Sequence, residues 1–279
     1  MVSQSTVELA PAPVPPPPAR DSSSTIRVKT TWPVIPANID RAPIRTERLL
    51  LRPFTATDAE AAFELRRQPE VMFWTVRGTP DEDVAESRAW IERFLPPRDL
   101  ETFEFVILQQ HLADADVGAN ANVNTAAKSS AYDDLEGTLI GMAGAHIVVP
   151  EQGWPEIGYL FRKETWGRGY GTEFLRAFVE AWWRLPRREI ELDVDVESVV
   201  GLGVGKRDRS GAGNEEEGDV CEVVPEVLTA VIEVSNIGSR RVLEKAGFRE
   251  YKTWNAPNTH VGSEGDVTLV AFGLEAPSS

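Results

Sequence analysis

The run WGRGYGTEFL, residues 166–175, constrains the fold of this chain more than any other segment. Gly167, Gly169 and Gly171 stand at every second position, directly ahead of a strongly apolar helical pattern. Glycine lets a backbone turn sharply and approach a ligand with no Cβ in the way. A helix that starts there presents unpaired N–H groups and the positive end of its dipole. The segment therefore predicts a strand, a main-chain seat for phosphate oxygens and a helix, in that order. The helix is the best-defined element of the chain. Phe174, Phe178, Trp182 and Leu185 recur at helical spacing, while Glu173, Arg176, Glu180 and Arg184 take the polar face. Pro186 predicts its end.

Composition bounds the ligand. The chain has 279 residues, 42% of them hydrophobic, eight tryptophans and a formal charge of −15. That charge argues against non-specific nucleic-acid binding, which needs Lys and Arg to neutralise phosphates. It also biases the chain toward cationic substrates. A polyanionic cofactor would need a locally favourable seat, and backbone amides supply one without changing net charge. No apolar run approaches the ~18–20 residues that span a bilayer, and MVSQSTVELAP has no signal core. With one cysteine, Cys221, an internal disulfide is excluded. The expectation is an intracellular, cytoplasmic protein without a membrane partner. His111, His146 and His260 have no metal-ligand spacing, so no metal is expected.

Residues 1–42 read as a disordered Pro/Ser-rich tail, either solvated or docking an SH3-like partner through a polyproline II run at 11–18. The folded domain is expected over 43–275, with inserted loops at about 109–136 and 198–222. Arg48–Arg52 reads as its first strand. Thr57 with Glu60, and Thr79 with Glu82 after which Pro80 opens the helix, read as capping boxes for two helices ending near Gln68 and Phe94. Further strands are expected at 103–108, 138–149 and 155–161, the last two as a hairpin, and then at 188–197, 227–234, 250–254 and 266–274. Asn236–Lys245 reads as a short helix with Gly247 at its left-handed C-cap. GLGVGKR at 201–207 departs from the phosphate-loop spacing and has Arg207 in place of Ser or Thr, so no nucleotide loop is expected there.

Two ordered segments point the same way. EIGYLFRKETWGRGYGTEFL sets a strand, a glycine turn and a helix in sequence. VIEVSNIGSRRVLEKAGFRE, about sixty residues later, sets a strand, Asn, Ser and a helix ending in K-x-G-F. Together they resemble the GNAT acyltransferases. W-G-x-G-Y-[AG]-T-E, N-x-x-S-x-x-V-L-E-K-x-G-F and the opening T-E-R-L-x-L-R-P-F are similar to the branch of ribosomal-protein N-terminal acetyltransferases. The resemblance runs over roughly residues 44–275 and implies one α/β domain. Its mixed central sheet would be split between the fourth and fifth strands and flanked by helices.

The split would hold acetyl-CoA. By position, the pantetheine would pair with the backbone of Leu160, Phe161 and Arg162. The pyrophosphate would sit on the amides of Trp166, Gly167, Arg168, Gly169, Tyr170, Gly171 and Thr172. Asn236 and Ser239 would face the sulfur, with Lys245 or Arg240 near the outer part. Trp166 stands where many relatives have Arg or Gln, and Arg168 is the candidate replacement. Tyr170 is expected to pack on the sheet.

The implied activity is acetyl transfer to an amine, a peptide or protein N-terminus or a small molecule, by direct attack through a tetrahedral intermediate. An amine with a pKa of about 10.4 must first lose a proton, and a carboxylate can take it directly or through one water. Glu156 is the first candidate base, Glu233 the second and His146 the third. A backbone N–H near Phe161 would hold the oxyanion. Many relatives protonate the thiolate with a tyrosine seven residues after the Asn; here Leu243 stands there, leaving Ser239 or Asn236 to bond the sulfur. Trp154, Trp74 and Trp90 are candidates for an acceptor pocket. A non-catalytic acyl-CoA-binding module is the competing reading.

Overall fold

The computed structural model describes residues 25–110, 137–147, 152–204, 222–260 and 262–277. The main sheet has eight strands: β2 (Ile44–Arg45), β3 (Leu49–Arg52), β4 (Thr102–Gln109), β5 (Thr138–His146), β6 (Glu156–Phe161), β9 (Val227–Glu233), β10 (Arg249–Pro257) and β11 (Asp266–Glu275). Their order across the sheet is β10-β11-β9-β6-β5-β4-β3-β2, and only β6 and β9 are parallel neighbours. Counted from β3, these are the fourth and fifth strands, so the mixed sheet is divided where the resemblance implied.

Period-two alternation assigns the two faces of the sheet. Phe103, Phe105 and Ile107 of β4 point to one core, and Val106 and Leu108 to the other. The first core is closed by α4 (Tyr170–Arg184) and α6 (Ile237–Lys245), the second by α1 (Ala59–Arg66) and α3 (Val84–Ile91). Phe174, Phe178 and Trp182 of α4 are fully buried, as their spacing predicts. At ~1.5–3 kcal/mol each, they anchor the helix that carries the glycine turn. Extended backbone at Leu185 ends it.

Helix starts differ from the sequence expectation. The first box is Thr55 with Asp58, closing a 3₁₀ turn that leads into α1. The second helix begins at Val84, capped by Asp83, whose side chain accepts from the Glu86 amide. Thr79–Glu82 stays outside it because the Asp81 carboxylate is claimed by Arg66, Arg77 and the Ser87 hydroxyl. Among the described residues no helix is long and apolar enough to cross a membrane.

The expected tail reaches too far into the chain. Thr25–Pro33 forms β1, paired antiparallel over nine residues with β7 (Arg187–Asp195) and parallel with β8 (Glu222–Val223) in a second sheet. Val28 of β1 packs with Trp154, Val194, Val199, Leu202 and Val227 in a third core. The expected loop from 198 is likewise corrected: α5 (Val196–Leu202) buries Val199 and Leu202 and is capped by Asp195. That helix includes the start of GLGVGKR, and residues 205–207 lie outside the described residues. Of the other inserted loop, 111–136 also lies outside them, while Gln109 ends β4 and the Gln110 amide donates to the Arg48 carbonyl.

Candidate active site

The cleft starts where β6 and β9 part. The ladder between them has one pair, Glu156 with Thr229, reinforced by the Thr229 amide and hydroxyl on the Pro155 carbonyl (2.8 and 3.0 Å). Beyond it the other edge of β6 stays paired with β5 through Phe161. Peptide groups along a strand face alternate edges, so Tyr159 and Phe161 present theirs to the cleft. Leu160 and Arg162 present theirs to β5, and the Arg162 amide donates to Ile140 (2.8 Å). Of the three residues expected to pair with pantetheine, Phe161 alone faces the cleft by its backbone. Its carbonyl already accepts the Trp166 indole N–H at 2.8 Å, which leaves its amide.

On the glycine turn the first intrahelical bond runs from the Glu173 amide to the Gly169 carbonyl, at 3.1 Å. Among the described residues, the amides of Gly167, Arg168, Gly169, Tyr170, Gly171 and Thr172 have no partner. That is a row of donors at a helix N-terminus, the arrangement that binds anions. Trp166 leaves the expected set: its amide donates to Lys163 as the 3₁₀ turn Lys163–Thr165 ends. Gly169 has φ +84° as the N-cap, and a Cβ on Gly171 would sit 3.2 Å from Val242 of α6. Tyr170 is buried in the first core, as expected.

Sequence reading missed what holds this turn. Thr46 and Arg48, just ahead of β3, grip Glu173 in the first turn of α4. The Thr46 hydroxyl donates to Oε1 at 2.6 Å, the Arg48 amide to Oε1 at 2.9 Å, and Arg48 Nε to Oε2 at 2.7 Å. Arg48 Nη1 also donates to the Arg168 carbonyl at 3.0 Å, and its guanidinium lies 4.6 Å over the Tyr170 ring. Burial raises the Glu173 pKa, but these hydrogen bonds and the Arg48 charge outweigh it and hold it below the usual value. Thr46, Arg48 and Glu173 all stand in the motifs legible in the sequence, but nothing in sequence spacing says that they meet.

Across the cleft, Asn236 caps α6, its Oδ1 accepting the Ser239 amide at 3.0 Å. Capping uses only this oxygen and leaves the side-chain NH₂. The Ser239 carbonyl accepts the Tyr159 hydroxyl at 3.3 Å, joining the two sides of the split. Burial pushes that hydroxyl up to about 12, so it stays protonated. Leu243 is fully buried in the first core.

The three candidate bases separate by environment. Glu156 is half-buried at the apex of the cleft, on the sheet face turned away from α4 and α6. The next residue on that face is Gly158, where a Cβ would meet nothing within 4 Å. A carboxylate thus stands beside open space. Glu233 is engaged at the other end: Ser235 donates to its Oε2 at 3.1 Å, and His260 Nε2 lies 2.6 Å from Oε1. His260 stacks on Phe73 with ring centroids 4.0 Å apart and planes 2° from parallel. This loop contact between the β10–β11 hairpin and the segment after α2 (Pro69–Met72) was not foreseen. It makes a wall that also includes Trp74, edge-on to Phe73. Trp154 and Trp90 do not join it. Trp154 is buried in the third core and donates to Ser198, and Trp90 packs with Phe54 and Phe94.

His146 Nε2 sits 3.3 Å from Glu104 Oε1, and burial with the nearby Arg93 lowers its pKa, which weakens it as a base. Its side chain keeps 44% exposure, which moderates that loss. Glu104 itself is buried where Gly144 makes room for it, and burial lifts its carboxyl to about 8 against the pull of Arg41 and Arg93. The native state therefore holds this proton more tightly than the unfolded chain. Stability that Glu104 contributes at acid pH is lost as pH rises toward 8. Between pH 6.5 and 8, above the range where His146 charging acts oppositely, the loss is about 2 kcal/mol. Glu104→Gln is expected to flatten urea midpoints measured over that window. An unchanged slope would place the titration elsewhere.

Among the described residues no three His, Cys, Asp or Glu side chains come together to hold a metal. The family model for the acetyltransferase (GNAT) domain matches residues 48–249. Solved structures with the same fold include a probable GNAT acetyltransferase from Chromobacterium violaceum, at 15% identity and TM-score 0.52 over 96% of this chain and 98% of that one. A GCN5-related N-acetyltransferase from Brucella melitensis matches at 15% and 0.51, over 88% and 83%. The ribosomal L7/L12 alpha-N-protein acetyltransferase RimL, in complex with coenzyme A, matches at 14% and 0.52, over 82% and 97%. With the split sheet, the glycine turn and a family model over more than half its length, this chain belongs to the GNAT acetyltransferases.

Proposed function

We propose that this protein transfers the acetyl group of acetyl-CoA to an amine, a peptide or protein N-terminus or a small-molecule amine, inside the cell. The observation that carries the reading is the row of free amides, Gly167 to Thr172, at the mouth of a cleft with Glu156 at its apex. The residues present fit the cofactor: its pyrophosphate oxygens accept hydrogen bonds, and the amides of Gly167 to Thr172 supply donors without added positive charge. Bound acetyl-CoA supplies an activated acetyl thioester and a thiol leaving group. Glu156 takes the proton of the incoming ammonium, directly or through one water, and frees the lone pair for direct attack. The Phe161 amide donates to the carbonyl oxygen as charge develops there. Asn236 and Ser239 would hydrogen-bond the sulfur as the thioester C–S bond breaks, and the second proton shed by the nitrogen would return to the departing thiolate through solvent.

Similarity to the ribosomal-protein branch supports a protein N-terminus as acceptor, and the −15 charge supports a cationic one. The test is thiol release from acetyl-CoA across a panel of peptides and small amines. Silence over the whole panel, with coenzyme A still bound, would sink the enzymatic reading. The second reading is a non-catalytic acyl-CoA-binding module. It is favoured by the buried, apolar Leu243, which has no proton for a thiolate.

A further inference from the structure

Arg48 acts on the cofactor seat without reaching it by charge. Its guanidinium is paired with Glu173, so the fork and its partner together add little net field at the turn. What Arg48 does fix is a peptide plane. A trans peptide is flat, with its C=O and N–H pointing in opposite directions. Nη1 holds the Arg168 carbonyl at 3.0 Å on the side of the turn facing β3, so the Gly169 amide must point to the other side. A Cβ at Gly169 would lie 3.5 Å from Nη2. On its far side, the same first turn is braced by Val242 at Gly171. Glu173, held by Thr46 and by the Arg48 main chain and side chain, locks Arg48 in this pose.

From these contacts we infer that Arg48 is a positioning residue for the pyrophosphate of acetyl-CoA, setting the Arg168–Gly169 peptide so that its amide faces the phosphates. The inference rests on the acetyl-CoA reading above and extends it to a residue some 120 positions away in sequence. Without the guanidinium, that peptide is free to flip and present its carbonyl to the phosphates. A lysine keeps the charge but has no fork to hold Glu173 and Arg168 together.

Calorimetry with coenzyme A, beside turnover with acetyl-CoA and with acetyl-pantetheine, which lacks the pyrophosphate, tests this. Arg48→Gln is expected to weaken coenzyme A about tenfold, the size of one charge-assisted hydrogen bond. The KM for acetyl-CoA should rise in step, with kcat close to that of the parent. Arg48→Lys should not restore affinity, and Thr46→Ala should show a smaller loss. Turnover of acetyl-pantetheine should match the parent in all three. Parent-like coenzyme A affinity in Arg48→Gln overturns the inference, and so does an equal loss on both donors, which marks general loosening of the fold. If the parent binds coenzyme A and turns nothing over, catalysis fails but the calorimetric comparison still decides Arg48. If it binds no coenzyme A, both readings fall together.

Discussion

Glu156→Gln is expected to lower kcat for amine acetylation by about 10²–10⁴, the contribution of a positioned general base. Coenzyme A affinity and melting temperature should stay near those of the parent. The expectation follows from position. Glu156 lies at the last rung joining β6 and β9, on the face turned away from α4 and α6, and Gly158 leaves the space beside it open. Glutamine matches the carboxylate in shape, so packing is retained and only the capacity to take a proton is lost. Raising the pH should recover part of the rate in the variant, because a larger fraction of acceptor amine is then already neutral. A variant with the full parental rate would remove Glu156 from the mechanism and turn attention to Glu233 with His260. A parent without turnover, and a variant binding coenzyme A equally well, would favour the binding module.

How far the site was legible depended on whether local sequence decides it. The glycine turn, the amphipathic α4 and the Asn236 cap are local, because backbone freedom, helical period and a side chain three residues from its amide define them. Gly169 is accordingly the left-handed N-cap of α4, and Asn236 caps α6. Which amides are free is less local. Trp166 lost its amide to a 3₁₀ turn, and Arg162 lost its own to β5, since strand pairing decides which edge a peptide group faces. The grip of Thr46 and Arg48 on Glu173 spans about 125 residues and follows only from the packing of α4 across the sheet. His260 was invisible for the same reason: its partners Phe73 and Glu233 come from different elements.

Deletion of residues 1–42 is expected to abolish cooperative folding, although composition alone marks that whole stretch as a disordered Pro/Ser-rich tail. The proline-rich part and β1 share a low-complexity neighbourhood, yet TIRVKTTWP at 25–33 alternates enough to pair with all nine residues of β7. Removing it takes Val28, Trp32 and Ile35 out of buried positions. At ~1.5–3 kcal/mol per buried side chain, this approaches the ~5–15 kcal/mol that holds a typical domain together. Polar losses add to it. Asn38 donates to the Phe94 carbonyl and takes Asp99 on its amide, and Arg41 binds the carbonyls of Pro36, Asp99 and Thr102. Thr31 donates to the buried Glu226, which also holds Trp182 of α4 and Arg187 of β7. Because Trp182 lies on the helix that carries the glycine turn, the loss should reach the cofactor seat even where some structure survives. A thermal melt and coenzyme A titration of the truncated chain read both effects. A sharp transition with parental affinity would show that β1 and the Asn38–Arg41 segment decorate the domain, and that its stability resides wholly in the eight-stranded sheet and its helices.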